Sequence, residues 1–119
     1  MIDDILKEIS LGYDGLIRSV SFKAFDSVSV EISARKKLGG NWINVRFVMK
    51  GVLEFCVKQK INYSNTVLSS GICHKIIDGV NYIDFCPFTD EADGVDDFRM
   101  SDVYFASKSI EYEIIPYSE

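Results

Sequence analysis

Residues 41–60, NWINVRFVMKGVLEFCVKQK, constrain the fold more than any other stretch of the chain. Ile43, Val45, Phe47 and Met49 alternate with Asn44, Arg46 and Lys50. After Gly51 the alternation resumes, with Leu53, Phe55 and Val57 against Glu54, Cys56 and Lys58. A period of two puts one set on a buried face and the other in water, which is the pattern of a half-buried antiparallel strand. Both apolar sets carry odd numbers, so the connection between them decides whether the faces match. A two-residue turn at Lys50-Gly51 would set Phe47 opposite Glu54 and mix the faces. A three-residue loop at 50–52 pairs Met49 with Leu53, Phe47 with Phe55 and Val45 with Val57. The pattern therefore predicts a hairpin, with one long strand bent at Gly51 as the alternative.

Other stretches repeat the period. SVSVEISAR, residues 27–35, places Val28, Val30, Ile32 and Ala34 on one face and Ser27, Ser29, Glu31, Ser33 and Arg35 on the other. LIRSVSFKAF before it groups Val20, Phe22 and Ala24, with Asp26-Ser27 as the joining turn. ICHKIIDGVNYIDF predicts a hairpin around Asp78-Gly79. A four-residue loop from Asp78 to Asn81 is preferred there, because it sets Lys75 opposite Asp84 and Cys73 opposite Cys86. SIEYEIIPY supplies a closing strand, and Pro116 suits the end of an edge strand. At the N-terminus, Ile2, Ile5, Leu6 and Ile9 form the apolar stripe of a short helix whose first turn holds Asp3 and Asp4.

The expected build is one domain over residues 1–119, of α+β class but mostly β. It is an antiparallel curled sheet or sandwich of six to eight strands with a short N-terminal helix. Val28, Val30, Ile32, Ile43, Val45, Phe47, Phe55 and Val57 are expected inside, and Ser29, Glu31, Ser33 and Arg46 in water.

Composition narrows the function classes. No apolar run approaches the roughly 18 residues of a membrane-crossing helix, and the acidic, amphipathic start of the chain is not a secretory leader. A cytoplasmic protein is expected, with Cys56, Cys73 and Cys86 reduced, since three cysteines make no disulfide framework. The net charge of -5 comes from one place. TDEADGVDDFRMSD, residues 89–102, holds six carboxylates against one arginine, and the rest of the chain is balanced. That distribution argues against a nucleic-acid partner, which needs a basic surface. The Arg35-Lys36-Lys37 cluster is expected to be a solvated strand end.

Few residues offer catalytic or metal chemistry. An EF-hand with Gly94 at its sixth position would put Met100 where a bidentate carboxylate must stand, so it is excluded. Cys73 and His74 are adjacent on a strand and project to opposite faces, which defeats a Cys–His nucleophile pair and a Cys3His zinc site. His74, the single histidine, is expected to be structural. Gly39-Gly40 lacks the lysine of a phosphate loop. Trp42 is expected to cap one end of the core, with ligand stacking as the alternative. No cofactor and no metal site are expected. The segment 89–102 is a solvated loop or a docking surface for a basic partner, in which Asp90, Glu91, Asp93, Asp96, Asp97 and Asp102 steer and Phe98 anchors.

NWINVRFVMKGVLEFCVKQK, followed much later by DVYFASKSIEYEIIP, resembles the pattern of small bacterial immunity proteins that accompany secreted toxins. The shared features are a tryptophan opening an alternating strand, a glycine-valine step, and a closing strand of acid-aromatic alternation. The resemblance covers about a third of the chain. It implies an acidic cytoplasmic domain that binds and neutralises a cognate toxin, and it supplies no site residues. The functional expectation is therefore a non-enzymatic, immunity-type inhibitor that docks a basic protein partner, a toxin, through its acidic segment. The alternative is a small-ligand-binding or enzymatic β-barrel-like domain using a concave aromatic face of Phe47, Phe55 and Trp42.

Overall fold

A computed structural model describes residues 1–24, 26–37, 40–58, 66–87 and 92–117. Six strands form one open antiparallel sheet: β1 (Leu16–Ala24), β2 (Ser27–Arg35), β3 (Trp42–Val57), β4 (Cys73–Ile77), β5 (Val80–Asp84) and β6 (Val103–Ile115). Their order across the sheet is β1-β2-β3-β6-β5-β4. The mostly-β architecture with a short N-terminal helix is as expected, built as one sheet and not as a sandwich. The helix is α1 (Ile2–Glu8), followed by a 3-10 turn (Ser10–Gly12). Among the described residues, no helix is long and apolar enough to cross a membrane.

Helix α1 has seven residues, too few to be stable alone. It persists because Ile2, Ile5 and Leu6, with Ile9 just beyond, pack into one cluster with Val28, Val30, Ile32, Val45, Phe47 and Phe85. The period-two reading of β2 and of the first half of β3 holds here, since these strand residues are fully buried. Ile43 is half-buried against the same cluster. Ser33, expected in water, is buried instead. Its hydroxyl donates to Asn44 Oδ1 at 2.5 Å and receives Arg18 Nη1 at 3.3 Å, so the polar side of the sheet is itself covered at this end.

The expected hairpin at 50–52 does not form. Residues 42–57 make a single strand that pairs along both halves with β6. Gly51 adopts φ +64, and a one-residue register shift falls between Val52 and Glu54. The bend does the work that a loop was expected to do. Val52 packs on the α1 side, whereas Leu53, the extra residue, is exposed. Phe55 and Val57, expected inside, lie at the rim and are 39% and 46% exposed. Phe55 still stacks on Phe105 (6.3 Å between ring centres) and meets Phe22 at 5.0 Å.

The β4–β5 hairpin also departs from expectation. Ile77 pairs with Val80 across a two-residue turn, so Lys75 stands opposite Tyr82 and Cys73 opposite Asp84. Asp78 and Gly79 both have positive φ (51 and 79). Such a turn carries the right-handed twist of the strands, and this outweighed one exposed opposite-charge pair, worth only about 0.2–1 kcal/mol. Ser27, expected in the β1–β2 turn, belongs to β2 and pairs with Ala24, which leaves Asp26 in the turn; Phe25 lies outside the described residues. Strand β6 is flanked by β3 throughout and by β5 over 104–107 only, so its C-terminal half, which runs to Pro116, has β3 as its one ladder partner among the described residues, as expected for the end of an edge strand.

Candidate functional site

The acidic segment holds a short helix that the sequence reading took for a loop. Helix α2 (Val95–Arg99) starts after Gly94, with Asp96 and Asp97 in its first turn and Arg99 in its last. Those charges complement the helix dipole, and Asp97 Oδ2 accepts the Asp93 N–H at 2.8 Å. Five residues do not hold a helix without tertiary support. Phe98 provides it from beneath, fully buried with Ala92, Tyr82, Tyr104 and Ala106, its ring 5.3 Å from that of Tyr82. Val95 and Phe98, at i and i+3, carried this signal in the sequence. Arg99 pins the C-terminal end through a two-pronged contact with Glu54 on β3 (2.7 and 2.9 Å).

The residues assigned to docking therefore divide. Asp93 and Asp96 are exposed, and the Asp96 side chain is fully in solvent. Asp97 and Asp102 are half-buried. Phe98 cannot anchor a partner, because it is spent in the protein's own core; this corrects its assignment. Asp90 and Glu91 lie outside the described residues.

Beneath α2 the sheet carries polar chemistry that the sequence did not announce. The Tyr104 hydroxyl donates to Glu54 Oε1 at 2.5 Å. Hydrogen bonding from Arg99 and then from Tyr104 holds the Glu54 carboxyl below its ordinary range. Burial, with Glu54 beside it, pushes the Tyr104 phenol up. On β5, Asp84 is 2% exposed. It accepts the Ser101 hydroxyl at 2.5 Å and the Cys86 N–H at 2.8 Å. Burial raises it to about 6 despite those two donors. Cys73, its neighbour across the hairpin, is raised by burial and then by the Asp84 charge, which makes it a poor nucleophile.

His74, expected to be structural, is hydrogen-bonded at both ring nitrogens. Its side chain is 2% exposed. Nδ1 lies 3.0 Å from Asp3 Oδ1 and Nε2 lies 3.0 Å from Asn81 Oδ1, while Asn81 Nδ2 donates to the Lys108 carbonyl. The ring thus ties α1 to β4 and β5. All three cysteines are free. Among the described residues no group of three or more His, Cys, Asp or Glu side chains is gathered closely enough for a metal ion.

The aromatic face proposed for a ligand is not assembled. Phe47 is fully buried, Phe55 sits at the rim, and Trp42 lies at the far end of β3. Two clefts open elsewhere, on either side of Tyr13. One, of about 410 Å³, runs past Leu6, Leu11, Ile72 and Cys73. The other, of about 390 Å³, is bounded by Asp14, Arg35, Lys37 and Trp42. Ligand stacking was the alternative for Trp42, but sequence alone does not bring Tyr13 or Asp14 to it. Comparison of the chain with known protein families, with curated proteins and with solved structures finds no match.

Proposed function

We propose that the chain is a non-enzymatic binding protein of the immunity-inhibitor kind, which docks a basic protein partner through the corner formed by α2. The observation that carries this reading is the way α2 is held. Phe98 below and Glu54–Arg99 at its end clamp the helix to the sheet, so Asp93 and Asp96 project from a rigid support. Carboxylates carried on an ordered backbone need no ordering of the segment on binding and raise the encounter rate with a cationic surface. The engagement of both His74 nitrogens supports a non-catalytic role. The docking residues become Asp93, Asp96 and Asp97, with Asp102 at the margin and without Phe98.

The test is association rate against ionic strength, with a basic toxin as the candidate partner. Asp93→Asn, Asp96→Asn and Asp97→Asn together should leave the thermal melt within a few degrees of wild type. The same change should slow association at low salt by about tenfold and flatten its salt dependence. Equal on-rates and equal salt slopes in the two proteins would leave the segment a solvated corner.

A further inference from the structure

The cleft between Tyr13 and Trp42 is flanked by charges that do not neutralise one another. Arg35 and Lys37 stand on the side of the β2–β3 connection, and Asp14 stands on the α1–β1 connection. Among the described residues none of these three takes part in an ion pair, although Lys36 between the two cations is bridged to Glu8 at 3.3 Å. Arg35 instead makes a cation–π contact, its guanidinium carbon 5.2 Å from the centre of the Trp42 ring. A cation–π contact does not use the guanidinium N–H donors, which remain able to meet an anion. Tyr13, half exposed, lines this cleft as well as the other.

The backbone around the cleft is strained on both sides. Ser10, Asp14 and Lys37 adopt φ of 52, 62 and 50, a region that non-glycine residues rarely occupy. Each is locked by neighbours: Asp14 N–H donates to the Leu68 carbonyl (3.0 Å), Lys37 N–H to the Glu8 carbonyl (2.9 Å) and Tyr13 N–H to the Ser10 carbonyl (3.4 Å). Strain maintained by surrounding structure is a recurring property of ligand sites.

We propose that this cleft binds a small zwitterion with an aromatic side chain, a free aromatic amino acid in chemical class. Arg35 and Lys37 receive the carboxylate, Asp14 receives the ammonium, and the ring lies against Tyr13. The volume of about 390 Å³ falls within the range of small-molecule sites. A simple anion leaves Asp14 unanswered, and a simple cation leaves Arg35 and Lys37 unanswered.

Trp42 is the chain's single tryptophan, so its emission reports this cleft directly. Titrating the whole protein with L-phenylalanine should give a saturable change in that emission. Phenylacetate and phenethylamine, each with one of the two charges, should bind about tenfold more weakly or worse. Arg35→Met and Asp14→Asn should each weaken phenylalanine by about tenfold, and asparagine tolerates the positive φ of position 14, so the fold is kept. The proposal is overturned by a linear, non-saturating response, by phenylacetate binding as well as phenylalanine, or by unchanged affinity in both variants. The two ligand-only outcomes need no variant to fold.

Discussion

The face of the sheet under α1 is filled by side chains such as Ile5, Leu6, Val28, Val30, Phe47 and Phe85, which bring no polar atom with them. The face under α2 sets the rings of Tyr82, Phe98 and Tyr104 beside a buried Asp84 and the Glu54–Arg99 clamp. Both faces bury surface, but they fail differently. The α1 side is held by transfer of apolar area from water, which is non-directional and insensitive to pH. The α2 side depends on hydrogen bonds that must be met in register and on carboxyl groups that titrate. A helix of seven residues suffices on the first face because it brings three apolar anchors, with Ile9 as a fourth just beyond its end. On the second, five residues bring Phe98 and a guanidinium, and Val95 only in part.

The largest test of this contrast compares one phenylalanine from each face. Phe47→Ala should cost about 3–5 kcal/mol and lower the whole cooperative transition in urea. Phe98→Ala empties a comparable volume, yet its effect should be concentrated in loss of amide protection over residues 92–101 by hydrogen exchange. If Phe98→Ala lowers protection uniformly across β2 and β3, the two faces form one cooperative unit and the contrast fails.

Next in size is the pH response of Asp84. Burial raises this carboxyl to about 6, above its unfolded value, so the folded state binds the proton more tightly. Its stabilising effect is therefore complete below about pH 4 and is lost as pH rises through about 6. Asp84→Asn should remove that slope, about 3 kcal/mol at most between pH 4 and pH 7. Glu54 acts in the opposite sense, since its lowered carboxyl stabilises above the ordinary range and loses this as pH falls. Urea midpoints at several pH values decide the matter. Parallel profiles for wild type and variant would mean that Asp84 does not set the pH response of this face.

The smallest effect concerns the bend that lets β3 serve both faces. Gly51→Ala places a Cβ about 3.0 Å from the Lys108 side chain at φ +64. Lys108 can move, so the cost should be that of the left-handed backbone alone, about 1–2 kcal/mol. A change in the melting temperature of that order, with the Glu54–Arg99 contact retained, sharpens the picture. No change would show that β3 reaches both faces without the glycine.

Much of the α1 face was legible in the sequence. Ile2, Ile5, Leu6 and Ile9 report a helical stripe, and Val28 to Ala34 and Val45 to Met49 report strands, because each set repeats against one contiguous core. The same rule could not choose between a hairpin and a bent strand at Gly51, since both keep the odd residues together. Pairing with β6, distant in sequence, made the choice. At Asp78-Gly79 the turn signal is visible in the sequence, and the twist of the two-residue turn outweighs the exposed charge pair that a longer loop would make.

The candidate sites divide along the same line. Local composition by itself determined that the negative charge concentrates in 89–102, since charge is a property of residue type. Which of those acids face water, and that Phe98 faces inward, was decided by the docking of α2 on Tyr82 and Tyr104. The cleft by Tyr13 was decided wholly by tertiary structure. The antiparallel return of β2 into β3 sets Arg35 beside Trp42, and the α1–β1 connection carries Tyr13 and Asp14 to them. Periodicity specifies which side of an element is apolar, but the meeting of two connections depends on the relative placement of whole elements, which long-range packing and hydrogen bonding determine.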